Sequence, residues 1–216
     1  MTLTPIKTPI VAKKMFPNYI WDIAATENVI YLTFDDGPTP EITDWTLDVL
    51  KQYNAKATFF CIGNNIEKYP DIFERTIKAG HAIGNHTQNH IKGWKTNTKD
   101  YLSNISEAKN VIDMYLENFG KSILFRPPYG QITPKQGKQL MALGYKIVMW
   151  DVLSFDWETS ISKETCLNNV LTKVSAGSII VFHDSVKASK NMQYALPKVL
   201  DHFSKKGYAF KALNDV

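Results

Sequence analysis

The sequence is poor in cysteine, with Cys61 and Cys166 as the two cysteines among 216 residues. Two isolated cysteines provide neither a disulfide framework nor a Cys-x-x-Cys metal site, and Cys61 lies in an apolar run typical of a small buried side chain. Long apolar runs are also missing. No stretch approaches the ~20 apolar residues of a membrane helix, so no membrane segment is expected.

Lysine and arginine do not gather into a basic stripe. The formal net charge is a mild +4, which argues against nucleic acid as a partner. The N-terminal residues show no basic patch followed by an apolar segment, so no signal peptide is visible. Either the protein stays in the cytoplasm or a leader has been removed, and the initial methionine favours the cytoplasm. The sequence contains no signal for an oligomeric state.

Strand patterns alternate with helical patterns about seven times from residue 29 onward. Residues 29–34, 57–62 and 178–182 are apolar runs that predict buried strands, and short loops connect them to the helices. Residues 1–28 contain Pro5, Pro9 and Pro17 and predict an irregular lead-in, so the folded domain would span residues 29–216. The alternation predicts an α/β fold, a distorted TIM-like (β/α) barrel of seven or eight parallel strands. An open doubly wound sheet has the same connectivity.

Polar side chains stand at the predicted C-terminal ends of five strands. They are Asp35 and Asp36, His86 and His90, Arg126, the 151–156 segment with Asp151 and Asp156, and His183. In a parallel barrel these ends meet on one face, so residues 150 apart in sequence can share a pocket.

His86 and His90 are four residues apart. If they lie on one helical turn, both rings leave the same face and can bind one ion. Taken alone, the spacing favours surface or capping histidines. A carboxylate from Asp35 or Asp36 would complete three protein ligands and leave positions open for water and substrate, which is the pattern of a catalytic metal site.

The other polar groups suggest acid–base roles. The aspartate that does not bind the ion can act as a general base, and Arg126 can keep it ionised. His183 is a candidate general acid, with Asp156 or Asp151 fixing its tautomer and raising its pKa. His81 and His202 are interpreted as structural or solvated.

Five segments, in order, resemble the motifs of the carbohydrate esterase family 4 polysaccharide deacetylases, which contain the NodB homology domain. They are TFDDGP at 33–38, HTQNH at 86–90, RPPY at 126–129, DW at 156–157 and VFH at 181–183. Leu153 stands where the fourth motif often has aspartate, and Val181 replaces the commoner leucine.

The resemblance implies a role for each motif residue and a divalent metal, usually zinc, with cobalt, nickel or manganese as alternatives. The implied metal ligands are Asp36, His86 and His90, the implied base is Asp35 held by Arg126, and the implied acid is His183 oriented by Asp156. The Tyr129 backbone N–H would help to stabilise the oxyanion, and Trp157 and Val181 would shape a pocket for the acetyl methyl group.

The resulting hypothesis is a hydrolase that removes an N-acetyl group, or alternatively an O-acetyl group, from a glycan such as a chitooligosaccharide or peptidoglycan. Trp94, Tyr129 and Trp157 could stack on sugar rings, although aromatic side chains more often belong to the core. Two alternatives remain: hydrolysis of a small non-sugar amide or imide, and sugar binding without catalysis. A haloacid-dehalogenase phosphatase does not fit, because it requires Asp-x-Asp rather than adjacent aspartates.

Overall fold

The computed structural model describes residues 4–24, 26–116 and 123–214, and within these ranges it has eight strands and eight α-helices. The strands are Val29–Asp35 (β1), Ala57–Cys61 (β2), Ala82–Asn85 (β3), Ile123–Phe125 (β4), Tyr145–Ile147 (β5), Val152–Leu153 (β6), Ile179–His183 (β7) and Ala209–Phe210 (β8). The helices are Ile10–Met15 (α1), Ile42–Gln52 (α2), Gly63–Lys68 (α3), Pro70–Lys78 (α4), Thr98–Asp113 (α5), Pro134–Ala142 (α6), Lys163–Leu171 (α7) and Ser189–Lys205 (α8).

The strands form one parallel sheet in the order β5-β4-β3-β2-β1-β7-β6, and β8 pairs with the start of β1. The sheet curls into an incomplete barrel with β5 and β6 at its two edges, and the predicted parallel, barrel-like α/β fold is confirmed. Because every neighbouring pair is parallel, the C-terminal ends of the strands lie along one rim. Asp35 is in register with His183 across β1 and β7, and Asn85 with Phe125 across β3 and β4.

The lead-in is more ordered than its prolines suggest. Helix α1 lies between Pro9 and Pro17, where no proline interrupts the chain. The flanking residues pair with the two sheet edges. Ile20 exchanges backbone hydrogen bonds with residues 147 and 149 beside β5, and Ile6 accepts from Leu153 in β6. The described part of the lead-in thus pairs with both edges of the sheet.

Several local predictions differ from the structure. The sequence predicts a helix that starts at Thr39-Pro40 with a capping hydroxyl; this was wrong, because α2 begins at Ile42 and the Thr39 N–H donates to the hydroxyl of Thr43. It also predicts a loop over 151–158, but β6 lies inside this segment, and two residues are too few to show a periodic pattern. The helical pattern over 65–79, with a break suggested by Pro70, corresponds to α3 and α4. The helical pattern over 98–117 corresponds to α5, and its predicted end at Glu117 lies outside the described residues.

The hydrophobic core lies between the sheet and the surrounding helices. Phe34 of β1 stacks on Phe59 of β2 and on Phe182 of β7, with ring centroids 5.0 and 6.1 Å apart. The side chain of Arg126 is among the largest that are fully buried, and it lies just beyond the end of β4. Among the described residues, no helix combines the length and the apolar character needed to cross a membrane.

Candidate active site

A cleft of about 680 Å³ opens on the rim formed by the C-terminal strand ends. Its polar lining includes Asp35, Asp36, His86, His90 and His183, and its apolar lining includes Trp94, Tyr129, Leu153, Trp157 and Val181. The cleft therefore brings together the predicted side chains of three of the five strand ends. Arg126 and Asp156 are fully buried and contact the cleft residues from behind.

Asp36, His86 and His90 form a compact cluster in this cleft. One ligand atom from each residue lies within 4.8 Å of the other two. Asp36 Oδ1 is 3.2 Å from His90 Nε2 and 3.8 Å from His86 Nε2. Two imidazoles and one carboxylate at this spacing can hold one divalent ion, with coordination positions left for water and substrate.

The two histidines do not lie on a helical turn, which was the condition under which their spacing alone would place both rings on one face. The segment from His86 to His90 is a loop in which Thr87 and His90 adopt positive φ values of 68° and 53°. Buried side-chain amides hold this loop, since Asn85 Oδ1 accepts the Thr87 N–H at 2.8 Å and Asn104 Oδ1 accepts two further loop N–H groups. The rings still converge, with centroids 5.1 Å apart.

The tautomer of His86 follows from its backbone contact. His86 Nδ1 lies 2.7 Å from the carbonyl oxygen of Arg126, which only accepts, so Nδ1 carries the proton. Burial lowers the pKa of His86 to about 4, against the opposing charges of Asp35 and Asp36, so the ring is neutral near pH 7. Its Nε2 lone pair therefore faces the cluster, as a metal-binding imidazole requires.

The charges of the cluster also fit a bound cation. Asp36 Oδ1 is buried without a hydrogen-bond partner among the described residues. Burial opposes ionisation of Asp36, but the nearby rings of His90 and His183 hold its pKa well below the usual range. An ionised oxygen that faces the Nε2 lone pair of His86 is unfavourable unless a cation lies between the two groups. The donor set therefore fits the divalent metal that the sequence resemblance implies.

Asp35 is the second carboxylate, and it faces a different partner. Arg126 Nη1 donates to Asp35 Oδ1 at 2.7 Å, and both side chains are buried. Burial lowers the pKa of Arg126, while the charge of Asp35 opposes that shift. The remaining contacts of the guanidinium are with Thr33 Oγ1, the carbonyl oxygens of Val148 and Met149, and the ring of Phe60. These contacts fix the direction from which Arg126 meets Asp35.

Loss of the Arg126 charge should destabilise the fold strongly. Arg126→Met leaves Asp35 as an unpaired buried carboxylate, so we expect a decrease of about 3–5 kcal/mol in the free energy of unfolding. Urea denaturation measures this change. The control is Arg75→Met, which breaks the exposed pair with Asp44 and should change stability little. If the two variants had the same urea midpoint, the buried Arg126–Asp35 pair would contribute no more to stability than the exposed Arg75–Asp44 pair, and the prediction would be wrong.

His183 and Asp156 form a second pair, in which Asp156 is buried and His183 is partly exposed to the cleft. Asp156 accepts the His183 backbone N–H through Oδ2 at 2.7 Å, and its Oδ1 lies 2.8 Å from His183 Nδ1. Burial alone would lower the pKa of His183, but Asp156, with smaller contributions from Asp36 and Asp35, raises it to about 9. Asp151, the alternative partner, instead pairs with the lysines of the lead-in.

Aromatic side chains flank the cleft on two sides. Tyr129, at a positive φ of 59°, packs its ring 4.7 Å from that of His90, and its side chain is 56% exposed. Trp157 stacks on Phe155 and meets the His183 ring edge-on at 4.8 Å. Trp94 is 66% exposed on the rim. These exposed faces are suited to stacking on sugar rings.

Val181 forms a small apolar floor with Leu153, to which it is paired across β6 and β7. Both side chains are buried at the base of the cleft. The other two histidines lie outside the site. His81 Nδ1 accepts the N–H of Ala57, and burial lowers its pKa to about 4, while His202 packs on Phe203.

Asp184 is a buried residue of the site to which sequence reasoning assigned no role. Its carboxyl group accepts hydrogen bonds from Gly37 and Thr43, and burial raises its pKa to about 8 although these donors oppose the shift. The only signal in the sequence was its position directly after His183. That position alone does not distinguish a buried carboxyl group from an exposed one.

The fold and the site are those of a hydrolase of the parallel-barrel class, in which a cluster that could hold a metal ion, a buried carboxylate and a paired imidazole share one cleft. Comparison with known proteins supports this class. The family model for polysaccharide deacetylases matches residues 22–148.

A peptidoglycan-N-acetylglucosamine deacetylase from Bacillus cereus is 33% identical over 91% of this chain and 91% of that protein. A chitooligosaccharide deacetylase from Azorhizobium caulinodans is 35% identical over 75% of this chain and 76% of that protein. A crystal structure of a peptidoglycan N-acetylglucosamine deacetylase with bound 4-naphthalen-1-yl-N-oxidanyl-benzamide superimposes with a TM-score of 0.86 at 35% identity, covering 95% of each chain. The chain therefore belongs to the polysaccharide deacetylase family, carbohydrate esterase family 4, and is a hydrolase.

Proposed function

We propose that this protein is a metal-dependent deacetylase that hydrolyses N-acetyl groups on a glycan of the peptidoglycan or chitooligosaccharide type. The observation that carries the proposal is the Asp36–His86–His90 cluster, which shares one cleft with a separate carboxylate, Asp35, and a separate imidazole, His183. A sugar-binding module would need neither a base nor an acid. The similarity to deacetylases of both glycan types supports the substrate class.

Asp36, His86 and His90 would hold the divalent ion, with zinc as the first choice for two imidazoles and one carboxylate. The ion would supply Lewis-acid chemistry, polarising the acetyl carbonyl and lowering the pKa of water. Asp35 accepts a proton from the attacking water as general base. Arg126 limits the rotation of Asp35 through their 2.7 Å contact.

His183 donates the proton that the leaving amine requires. Its Nδ1 is engaged by Asp156, so Nε2 is the nitrogen that would face the substrate. The Tyr129 backbone N–H would donate to the developing oxyanion. Trp157 and Val181, both in the cleft lining, would enclose the acetyl methyl group.

The acid role of His183 predicts a specific pH dependence. Because the pKa of His183 is raised to about 9, its protonated form is present at neutral pH and is lost as the pH rises through that value, so kcat should fall above about pH 9. Asp156→Asn removes the main partner that raises this pKa, so the alkaline fall should move to lower pH. Measuring kcat from pH 6 to 10.5 tests this. Asp151→Asn is the control, and an unshifted profile in Asp156→Asn would remove His183 as the acid.

Acetate release tests the proposed function directly. The purified chain, loaded with Zn²⁺, is assayed on N-acetylglucosamine oligomers, on peptidoglycan fragments, on an O-acetylated xylan and on simple acetamides and imides. We expect turnover of an N-acetylated glycan and little turnover of the small amides. The same preparation without metal should be inactive and should recover on adding Zn²⁺, Co²⁺, Ni²⁺ or Mn²⁺. Turnover of small amides alone would favour the non-sugar alternative, and sugar binding without acetate release would favour a binding module.

A further inference from the structure

Asp184 forms hydrogen bonds with the backbone on both sides of Asp36, in the turn from Asp35 to Gly37 that carries the two aspartates of the site. Its Oδ1 accepts the N–H of Gly37 at 3.0 Å, and its Oδ2 accepts the hydroxyl of Thr43 at 2.5 Å. Its backbone N–H donates to the carbonyl oxygen of Asp35 at 3.2 Å. The side chain is fully buried, so these hydrogen bonds do not compete with solvent.

The turn between these contacts requires support. Asp36 has a φ of 83°, which is unfavourable for a residue with a Cβ atom. Gly37 approaches Asp184 so closely that a Cβ on it would lie 2.0 Å from Asp184 Oδ2. The backbone on either side of Asp36 is thus attached to one buried residue, which follows the candidate acid His183 at the end of β7.

We propose that Asp184 is a positioning residue that orients the Asp36 carboxylate toward His86 and His90 and ties this turn to the strand that carries His183. The inference rests on the proposed function, because it takes Asp36 as a metal ligand. Partners that orient ligands in this way typically contribute 10–100-fold to metal affinity or activity.

The test compares Asp184→Ala with Asp151→Ala in the 216-residue chain. Asp151 is also buried and accepts from Lys7, Lys13 and Ser178, but it lies outside the cleft. Both variants should unfold at lower temperature than the wild type. Only Asp184→Ala should bind Zn²⁺ about 10–100-fold more weakly by titration calorimetry. At saturating Zn²⁺ it should also show a lower kcat with little change in KM.

A second pair of variants addresses the case in which Asp184→Ala does not fold. Thr43→Val removes one hydrogen bond to Asp184 and should lower both Zn²⁺ affinity and kcat. Thr43→Ser retains the hydroxyl and should keep both values near those of the wild type. Less stable variants with wild-type Zn²⁺ affinity and kcat would overturn the inference and leave Asp184 a purely structural role. If the wild type itself fails to bind Zn²⁺, the proposed function fails instead, so the two failures are distinguishable.

Discussion

Replacing Asp36 by alanine is expected to remove Zn²⁺ binding and acetate release together. Asp36 supplies the single carboxylate of the cluster, and two imidazoles alone make an incomplete site for a divalent ion. Because a bound metal contributes several kcal/mol of transition-state stabilisation, its loss corresponds to about a thousandfold or greater decrease in kcat/KM. Metal content after dialysis, measured by atomic emission, and acetate release in the same sample test both parts.

Two further variants sharpen this test. Asp36→Asn keeps the shape of the side chain and its tolerance of the positive φ. Weak Zn²⁺ binding by this variant would therefore result from the lost charge of the ligand and not from backbone strain. His90→Ala should behave as Asp36→Ala does. His202→Ala, on α8 and away from the cleft, is the matched histidine control and should retain metal and activity. Full turnover by Asp36→Ala would exclude the cluster as the catalytic centre.

Asp35→Asn is expected to separate metal binding from turnover. The amide keeps the size of the carboxylate and can still accept from Arg126 through its oxygen, but it cannot take a proton from water. We therefore expect Zn²⁺ affinity within a few-fold of the wild type and a decrease of about 10²–10⁴-fold in kcat, the usual contribution of a general base. Titration calorimetry and steady-state kinetics on the same oligosaccharide give the two values.

The pairing with Arg126 requires one control in the second experiment. Asp35→Asn removes the charge that compensates a buried guanidinium, so the variant will also lose stability. Assays should therefore run well below its thermal midpoint, with folding confirmed by circular dichroism. A variant that is folded and loaded with metal and still turns over at the wild-type rate would remove Asp35 from the role of base.

The parallel fold was predictable because its signal is local. Each buried strand is a short apolar run, and each run is followed by a helical pattern, so the connectivity alone indicates a parallel sheet and a common rim. The errors came where short-range patterns are weak. The two-residue strand β6 has no period, and the start of α2 depends on Thr43, whose hydroxyl is bonded to a residue 141 positions away.

The sequence by itself determined which chemical groups stand at the strand ends, because residue types and their order along the chain need no tertiary information. The family resemblance implied which of the two adjacent aspartates faces the imidazoles, but residue types and spacing did not, and the physical reason for the order lies in the tertiary structure. Asp35 ends a strand and meets Arg126, 91 positions away, whereas Asp36 turns out of that strand at a φ of 83° toward His86 and His90. Neighbouring residues at a strand end point in different directions, and only long-range contacts fix what each of them meets.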